Sequence, residues 1–109
     1  EEIYWGRGHV QTCFFNFGNL DSTVEMLMGK PVYLTIDLDV LDTSIFPGTG
    51  TPEAGGVTFN ELLDAVKRVS RLNIVAMDMT ELSPIWDQSG ASTALACKLL
   101  REMLLLVHI

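Results

Sequence analysis

The sequence predicts an α/β fold in which helices cover both faces of a mainly parallel sheet, giving three α/β/α layers. Helical and strand patterns alternate along the 109 residues, as they do in chains that build parallel sheets. The strand-like segments are almost continuously apolar, which is typical of strands buried on both faces. The last helix has only a narrow polar strip, so we expect it to pack against chain outside this sequence. Residues 1–109 are therefore predicted to be part of one domain.

Composition excludes several classes of protein. With 48% hydrophobic residues the chain is too apolar to be disordered, and its two cysteines cannot form a disulfide-stapled miniprotein. A net charge of −7 argues against a nucleic-acid partner, because such binding depends on basic residues. No apolar run reaches the roughly 18 residues of a membrane span, and the acidic start does not resemble a signal peptide. We expect a cytoplasmic protein with reduced, buried thiols at Cys13 and Cys97.

The first third of the chain is predicted to hold one strand and one short helix. Residues 12–17 have the pattern of a short strand closed by a Gly-Asn turn. Ser22 and Glu25 have the spacing of a capping box, which predicts a helix from there to Met28. Gly29 suits the end of that helix, since glycine readily adopts the left-handed conformation found there.

The remaining elements are two strands, two helices and a long loop. Residues 32–38 alternate between apolar and more polar positions, as in a strand, and residues 39–57 form a loop rich in Gly, Pro and Thr. A second capping box, Thr58 with Glu61, predicts a helix that ends at about Arg71. Strand and helix then follow at residues 74–79 and at about 91–107.

Acidic residues gather after the first of these two strands. Asp37 and Asp39 are two positions apart, so a strand would point both to one side, and Asp42 follows. Residues 31–66 contain no Lys or Arg but six carboxylates. Partly buried carboxylates need a cation or several hydrogen-bond donors. Two interpretations stay open: a site for a hard divalent ion such as Mg²⁺, Ca²⁺ or Mn²⁺, or carboxylates that cap a loop.

Two further features lie near this cluster. The glycine-rich residues 47–56 lack the lysine of a phosphate-binding loop, and we expect a tight surface loop with positive φ at several glycines. Glu81 comes just past the second strand. Because ligands bind beyond the carboxyl ends of parallel strands, Glu81 can reach the same pocket as Asp37 and Asp39. The alternative for Glu81 is a solvated loop charge.

Four motifs together resemble the ureohydrolase (arginase/agmatinase) family. They are the acidic segment 35–42 (TIDLDVLD), the loop 47–52 (PGTGTP), the glycine pair 55–56 and the segment 81–84 (ELSP). The resemblance runs from about Val32 to the C-terminus. The segments LNIVAMD and WDQS are closer to agmatinases than to arginases.

This resemblance implies the function and the roles of particular residues. It implies an arginase-like α/β/α fold and a centre of two Mn²⁺ ions that hydrolyses a small cationic guanidino compound, above all agmatine to putrescine and urea. Asp37 resembles the carboxylate that bridges both ions, and Asp39 resembles a ligand of one. Glu81 resembles the acid that pairs with the substrate guanidinium, and Thr51 a residue that supports Glu81 at the substrate. Assembly as a homo-oligomer, a trimer or hexamer, is also implied.

The sequence departs from the family pattern in two ways. Thr43 stands where the family usually has proline, which removes no ligand. The Gly-Gly-Asp-His and Asp-Ala-His-x-Asp ligand motifs are absent, and we expect His9 and His108 to be bystanders. The chain therefore resembles the C-terminal portion of a longer enzyme and is expected to be inactive alone. An arginase or another guanidino-acid amidinohydrolase is one alternative, and a non-catalytic α/β module that binds a divalent ion is another.

Overall fold

Two parallel strands and four α-helices make up the computed structural model, which describes residues 1–14 and 16–107. The strands are β1 (Pro31–Asp37) and β2 (Asn73–Thr80). The helices are α1 (Glu2–His9), α2 (Leu20–Leu27), α3 (Phe59–Val69) and α4 (Ala91–Leu106). The predicted order of strand, helix, strand and helix from residue 31 onward is confirmed.

The two strands pair in parallel, and α3 connects them. Pro31 lies opposite Asn73, and Asp37 lies opposite Thr80 at the other end of the ladder. The register shifts between Val32 and Tyr33, where β2 contributes an extra residue. The carboxyl ends of the strands therefore meet at one edge, as a strand–helix–strand unit requires.

One face of this sheet packs against three helices. On β1, burial alternates as predicted, and the inward side chains Val32, Leu34 and Ile36 contact the core. Helices α3 and α4 pack on the half nearer the carboxyl ends, and α2 packs on the other half. The core residues at most 1% exposed are Val24, Leu38, Leu41, Phe46, Ala96, Leu99 and Met103. Burial of these apolar side chains is the main favourable term in folding.

The other face of the sheet is open in the described part of the chain. Tyr33 is 60% exposed and Val75 is 54% exposed, and the hydroxyls of Tyr33 and Thr35 both donate to the Asp78 carboxylate. Of the three layers predicted, the described residues thus supply the sheet and one helical layer. The expectation that residues 74–79 are covered on both sides does not hold within these residues.

The helix boundaries test both capping boxes. At α3 the box is present: the Thr58 hydroxyl accepts from the Glu61 N–H, and the Glu61 carboxylate accepts from the Thr58 N–H. The box predicted at Ser22 is wrong, since α2 begins at Leu20 and the Ser22 hydroxyl donates to the Asn19 carbonyl. Gly29 follows α2 with a φ of +77°, as expected for a glycine after a helix.

The strand predicted at residues 12–17 is wrong. Its described part, 12–14 and 16–17, contains no strand, and Phe15 lies outside the described residues, as does His108. The Asn16 side chain accepts from the Gly18 N–H at 2.7 Å, so local turn chemistry replaces strand pairing. The thiol of Cys13 is exposed rather than buried.

The two helices at the ends of the described chain carry exposed apolar side chains. Cys97 on α4 is exposed, which corrects the buried thiol expected there, and so are Leu100, Leu104 and Leu105. Helix α1, which the sequence did not predict, has no buried residue. Among the described residues, every helix is too short or too polar to cross a lipid bilayer.

Candidate metal centre

Three acidic side chains lie at the edge where both strands end. Asp37 is the last residue of β1 and pairs with Thr80, the last residue of β2, so Glu81 begins the chain beyond that pair. Asp39 lies in a 3-10 turn that follows Asp37 directly. The structure thus brings the predicted residues Asp37, Asp39 and Glu81 to the edge of an α/β sheet where ligands usually bind.

The turn after β1 fixes the two aspartates relative to each other. The spacing of the two aspartates indicates that both lie in one strand. In the structure β1 ends at Asp37, and the position of Asp39 comes from the turn that follows. The Asp39 N–H donates to the Asp37 carboxylate across 3.1 Å. Leu38, between them, is 0% exposed and anchors the turn in the core. Both carboxylates are therefore attached to a segment held by packing.

The negative charges of this cluster are not neutralised by cations in the described part of the chain. Partial burial raises the pKa of Asp37, and the charges of Asp39 and Glu81 raise it further, against the lowering effect of the Asp39 N–H. The ion pairs formed by Arg68, Arg71, Lys98 and Arg101 involve other carboxylates. A divalent cation would relieve this repulsion.

Glu81 has an unusual backbone. Its φ is +70°, and it is the one non-glycine residue in the described ranges with a positive φ. An L-residue in this conformation costs on the order of 1–3 kcal/mol, and such residues concentrate at functional sites. Two residues later the Ser83 N–H donates to the Gly48 carbonyl at 2.7 Å, which fixes the turn against the glycine-rich loop. The strain is thus held by neighbouring structure.

Thr51 reaches the cluster from the glycine-rich loop. Its hydroxyl donates to the Asp39 carboxylate across 3.1 Å. The resemblance had suggested that Thr51 supports Glu81, whereas this hydrogen bond goes to Asp39. An outer hydrogen bond of this kind orients a metal-ligating carboxylate.

Asp42 has the loop-capping role that the sequence left open. It accepts hydrogen bonds from the Ser44 N–H and hydroxyl and from the N–H groups of Gly55 and Gly56, and these donors, Ser44 foremost, hold its pKa at about 2. A Cβ on Gly56 would lie 2.4–2.7 Å from backbone atoms of residues 41 and 42. In the loop 47–56 only Gly55 has a positive φ, so close backbone approach replaces the several positive φ values expected.

A second buried network was not predicted from the sequence. Asp87 accepts from the N–H and hydroxyl groups of both Ser89 and Ser92, and these donors, the Ser89 hydroxyl first, hold its pKa at about 2. The available signal was an aspartate followed by serines two and five positions later, just before a helix, which is a pattern of local side-chain capping.

The donor set fits part of a manganese site. Asp37 and Asp39 offer hard carboxylate oxygens, the ligand type that Mn²⁺ accepts. Within the described residues there is no group of three or more His, Cys, Asp and Glu side chains that could hold a metal ion. His9 lies on α1, where its ring stacks on Trp5 with centroids 4.1 Å apart. The two aspartates would therefore be some of the ligands and not the full set.

Comparison with known proteins places this geometry in a family. The arginase-family profile matches residues 17–106, a longer stretch than the sequence motifs indicated. An agmatinase of Bacillus cereus is 44% identical over 96% of this chain, and the chain spans 38% of that protein. The mitochondrial guanidino acid hydrolase of Homo sapiens is 42% identical over 73% of this chain and 23% of its own length.

A solved structure supports the same assignment. The crystal structure described as an agmatinase from Clostridium difficile superposes with a TM-score of 0.89 and 45% identity, over 97% of this chain and 39% of that one. The chain thus has an arginase-like α/β fold and spans well under half the length of these relatives. With the profile match covering most of its residues, the chain belongs to the arginase family.

Proposed function

We propose that residues 1–109 are the C-terminal part of a single arginase-family domain within a longer protein, which hydrolyses agmatine to putrescine and urea with two Mn²⁺ ions. The observation that carries the proposal is the meeting of Asp37, Asp39 and Glu81 at the carboxyl ends of two parallel strands. Partial burial, with the neighbouring charges of Asp39 and Glu81, raises the pKa of Asp37 in the absence of a paired cation among the described residues, which supports a site made for positive charge.

The carboxylates divide into two roles in this proposal. Asp37 would bridge both ions and Asp39 would bind one, with the Thr51 hydroxyl holding the Asp39 carboxylate in orientation. When bound, the manganese ions supply the Lewis acidity that makes hydroxide available near neutral pH. The remaining ligands would come from chain outside these residues.

Glu81 would bind and orient the substrate. A guanidinium donates two parallel hydrogen bonds to a carboxylate, which fixes its plane as well as its position. This planar group is a poor electrophile, so its orientation toward the nucleophile matters for the rate. The strained φ of +70° at Glu81 supports a functional role, because a glycine at this position would adopt the same backbone without strain and make the fold more stable. Thr51 would lie beside the bound guanidino group.

A guanidino acid is the second candidate substrate, favoured by the likeness to the human guanidino acid hydrolase. Agmatine carries an amine at the end remote from its guanidinium, whereas guanidino acids and arginine carry a carboxylate. Residues 31–66 contain six carboxylates and no Lys or Arg, which favours the dication over a substrate bearing a negative group.

The proposal is tested by urea release from the complete protein loaded with Mn²⁺. We expect turnover of agmatine to exceed that of 4-guanidinobutyrate and arginine, and the isolated 109-residue chain to give negligible turnover because two aspartates cannot hold two ions. Robust urea release from the isolated chain would refute the partial-site argument. Binding that prefers Ca²⁺ to Mn²⁺, with no urea released, would instead support a non-catalytic ion-binding module.

We also propose a cytoplasmic homo-oligomer, a trimer or hexamer. The oligomer follows the family resemblance, and Leu100, Leu104 and Leu105, 40–66% exposed on α4, form an apolar surface that the rest of the domain or a second subunit would cover. Sedimentation of the complete protein measures its mass directly, and a monomer at all concentrations would contradict this part of the proposal.

A further inference from the structure

A buried polar network lies behind the glycine-rich loop. Ser92, in the first turn of α4, is 0% exposed and Asp87 is 9% exposed. The Ser92 hydroxyl donates to the Asp87 carboxylate at 2.6 Å and accepts from the Gly48 N–H at 2.9 Å. The same carboxylate oxygen accepts from the Ser92 N–H at 2.8 Å. One serine hydroxyl therefore joins α4 to the glycine-rich loop at Gly48 and to the loop before α4 at Asp87.

This network continues to the turn that carries Glu81. The Gly48 carbonyl, on the opposite side of the Gly48 Cα from its N–H, accepts from the Ser83 N–H at 2.7 Å. Ser83 is two residues after Glu81, whose φ is +70°. A backbone in this strained conformation persists only where surrounding contacts determine it. The hydrogen bond to Gly48 is a contact of this kind.

The packing at Gly48 leaves no room for a side chain. A Cβ on Gly48 would lie 2.7 Å from the Ser92 Cβ, 2.8 Å from the Ser92 Oγ and 3.1 Å from the Asp87 Cβ. The loop therefore approaches the network as closely as glycine allows, and a movement of Ser92 or Asp87 would be passed on to Gly48. Asp87 itself is held by the N–H and hydroxyl of Ser89 as well.

We propose that Asp87 and Ser92 are positioning residues, which hold the Glu81 turn in its left-handed conformation through Gly48 and Ser83. The inference rests on the proposed role of Glu81 in binding the guanidinium, and it assigns function to residues that touch neither metal nor substrate. Loss of the network would release the turn, so the substrate would bind more weakly, while Asp37 at the end of β1 and Asp39 in the turn anchored by buried Leu38 keep their positions.

Hydrogen exchange in the complete protein tests the mechanical part of this proposal without any substrate. In Ser92→Ala we expect the amide of Gly48 to lose protection, and also that of Ser83, although Ser83 makes no hydrogen bond to Ser92. The control is Leu99→Val, which trims a completely buried side chain on the same helix and leaves the network's hydrogen bonds in place. Unchanged protection of Ser83 in Ser92→Ala, or an equal loss in the control, would overturn the proposal.

Kinetics test the functional part. Ser92→Ala should raise the KM for agmatine about tenfold, because the free energy that orients Glu81 falls by about the net contribution of one hydrogen bond. The amount of bound Mn²⁺ should not change. The control Leu99→Val should lower Tm about as much as Ser92→Ala does but leave the KM unchanged. If Ser92→Ala does not fold, Asp87→Asn serves as the second variant. An unchanged KM in the network variants refutes positioning. If the wild-type protein releases no urea, the proposed function fails, and the exchange experiment still decides the coupling.

Discussion

Two kinds of surroundings for acidic side chains can be compared in this chain. Asp42 and Asp87 each accept four hydrogen bonds from nearby N–H and hydroxyl groups, and their pKa values fall to about 2. Asp37, at the strand ends, accepts one backbone N–H, and its pKa is raised by partial burial and further by the two carboxylates beside it. The same residue type is a structural cap where donors surround it and a candidate ligand where they do not.

This difference sorts carboxylates that look alike in the sequence. Asp37, Asp39 and Asp42 lie within six residues and in one motif. In the structure the first two face the acidic edge, whereas Asp42 closes the glycine-rich loop. Proximity along the chain is therefore a poor guide to role, and the supply of donors is a better one.

The largest expected effect separates Asp39 from Asp42. In the complete protein, Asp39→Ala should lower urea release from agmatine by about a thousandfold, since several kcal/mol of transition-state stabilisation depend on the metal centre. Metal analysis should show reduced Mn²⁺ content. Asp42→Ala should lower Tm and keep the metal, and a variant at Asp39 with full Mn²⁺ and full rate would show that the ligand assignment is wrong.

Two substitutions at Glu81 separate its charge from its backbone strain. Glu81→Gln should raise the KM for agmatine by roughly ten- to a hundredfold, because charge-assisted hydrogen bonds to the guanidinium are lost. Glu81→Gly should raise the KM for agmatine at least as much. It should also raise the free energy of unfolding by about 1 kcal/mol, since glycine accepts a positive φ without strain. Chemical denaturation measures the second effect, and a less stable glycine variant would contradict the strain argument.

Two glycines of the same loop test whether backbone approach organises it. Gly56→Ala should lower the free energy of unfolding by about 1–3 kcal/mol or more, because its Cβ would overlap the backbone of residues 41 and 42. Gly50→Ala is the matched control, since a Cβ there meets no described atom within 4 Å. Equal losses in denaturant titrations of the two variants would show that the predicted overlap relaxes freely.

The smallest effect is a pH dependence that belongs to the capped aspartates. Because the pKa of Asp42 is about 2 in the folded protein and about 3.9 when unfolded, its ionised form stabilises the fold above pH 4. That contribution is lost as the pH falls from about 4 to 2. The stability difference between wild type and Asp42→Asn should therefore shrink over this interval in unfolding titrations of metal-free protein, and a constant difference would argue against the cap.

Local patterns predicted much of the fold. Alternation along β1 and the capping box at Thr58 are decided by neighbouring residues, and the structure confirms both. The strand expected at 12–17 is wrong because the Asn16 side chain organises a turn, which an apolar pattern does not reveal. The nearly continuous apolar run at 74–79 indicates burial on both faces, but β2 adds an extra residue within this run and Val75 remains exposed.

The candidate site was predictable only as a set of residues. The motifs indicated Asp37, Asp39 and Glu81, and the parallel order of the strands explains why they share an edge. The hydrogen bonds from Thr51 to Asp39 and from Gly48 to Ser92 join residues 12 and 44 positions apart, which spacing cannot specify. The strained φ of Glu81 likewise follows from the loops that surround it.

The irregularity at Val75 has a consequence for how the chain length can vary. One extra residue lets Ile74 and Met77, three positions apart, pack on the same side of the sheet. Strand side chains alternate with a period of two, so a second single insertion between this point and Thr80 would send the following side chains to the opposite side, whereas loss of the one extra residue would restore regular pairing. Homologous segments should therefore either keep this extra residue or lack it and pair in regular register, and any other change by one residue should bring a second irregularity with it.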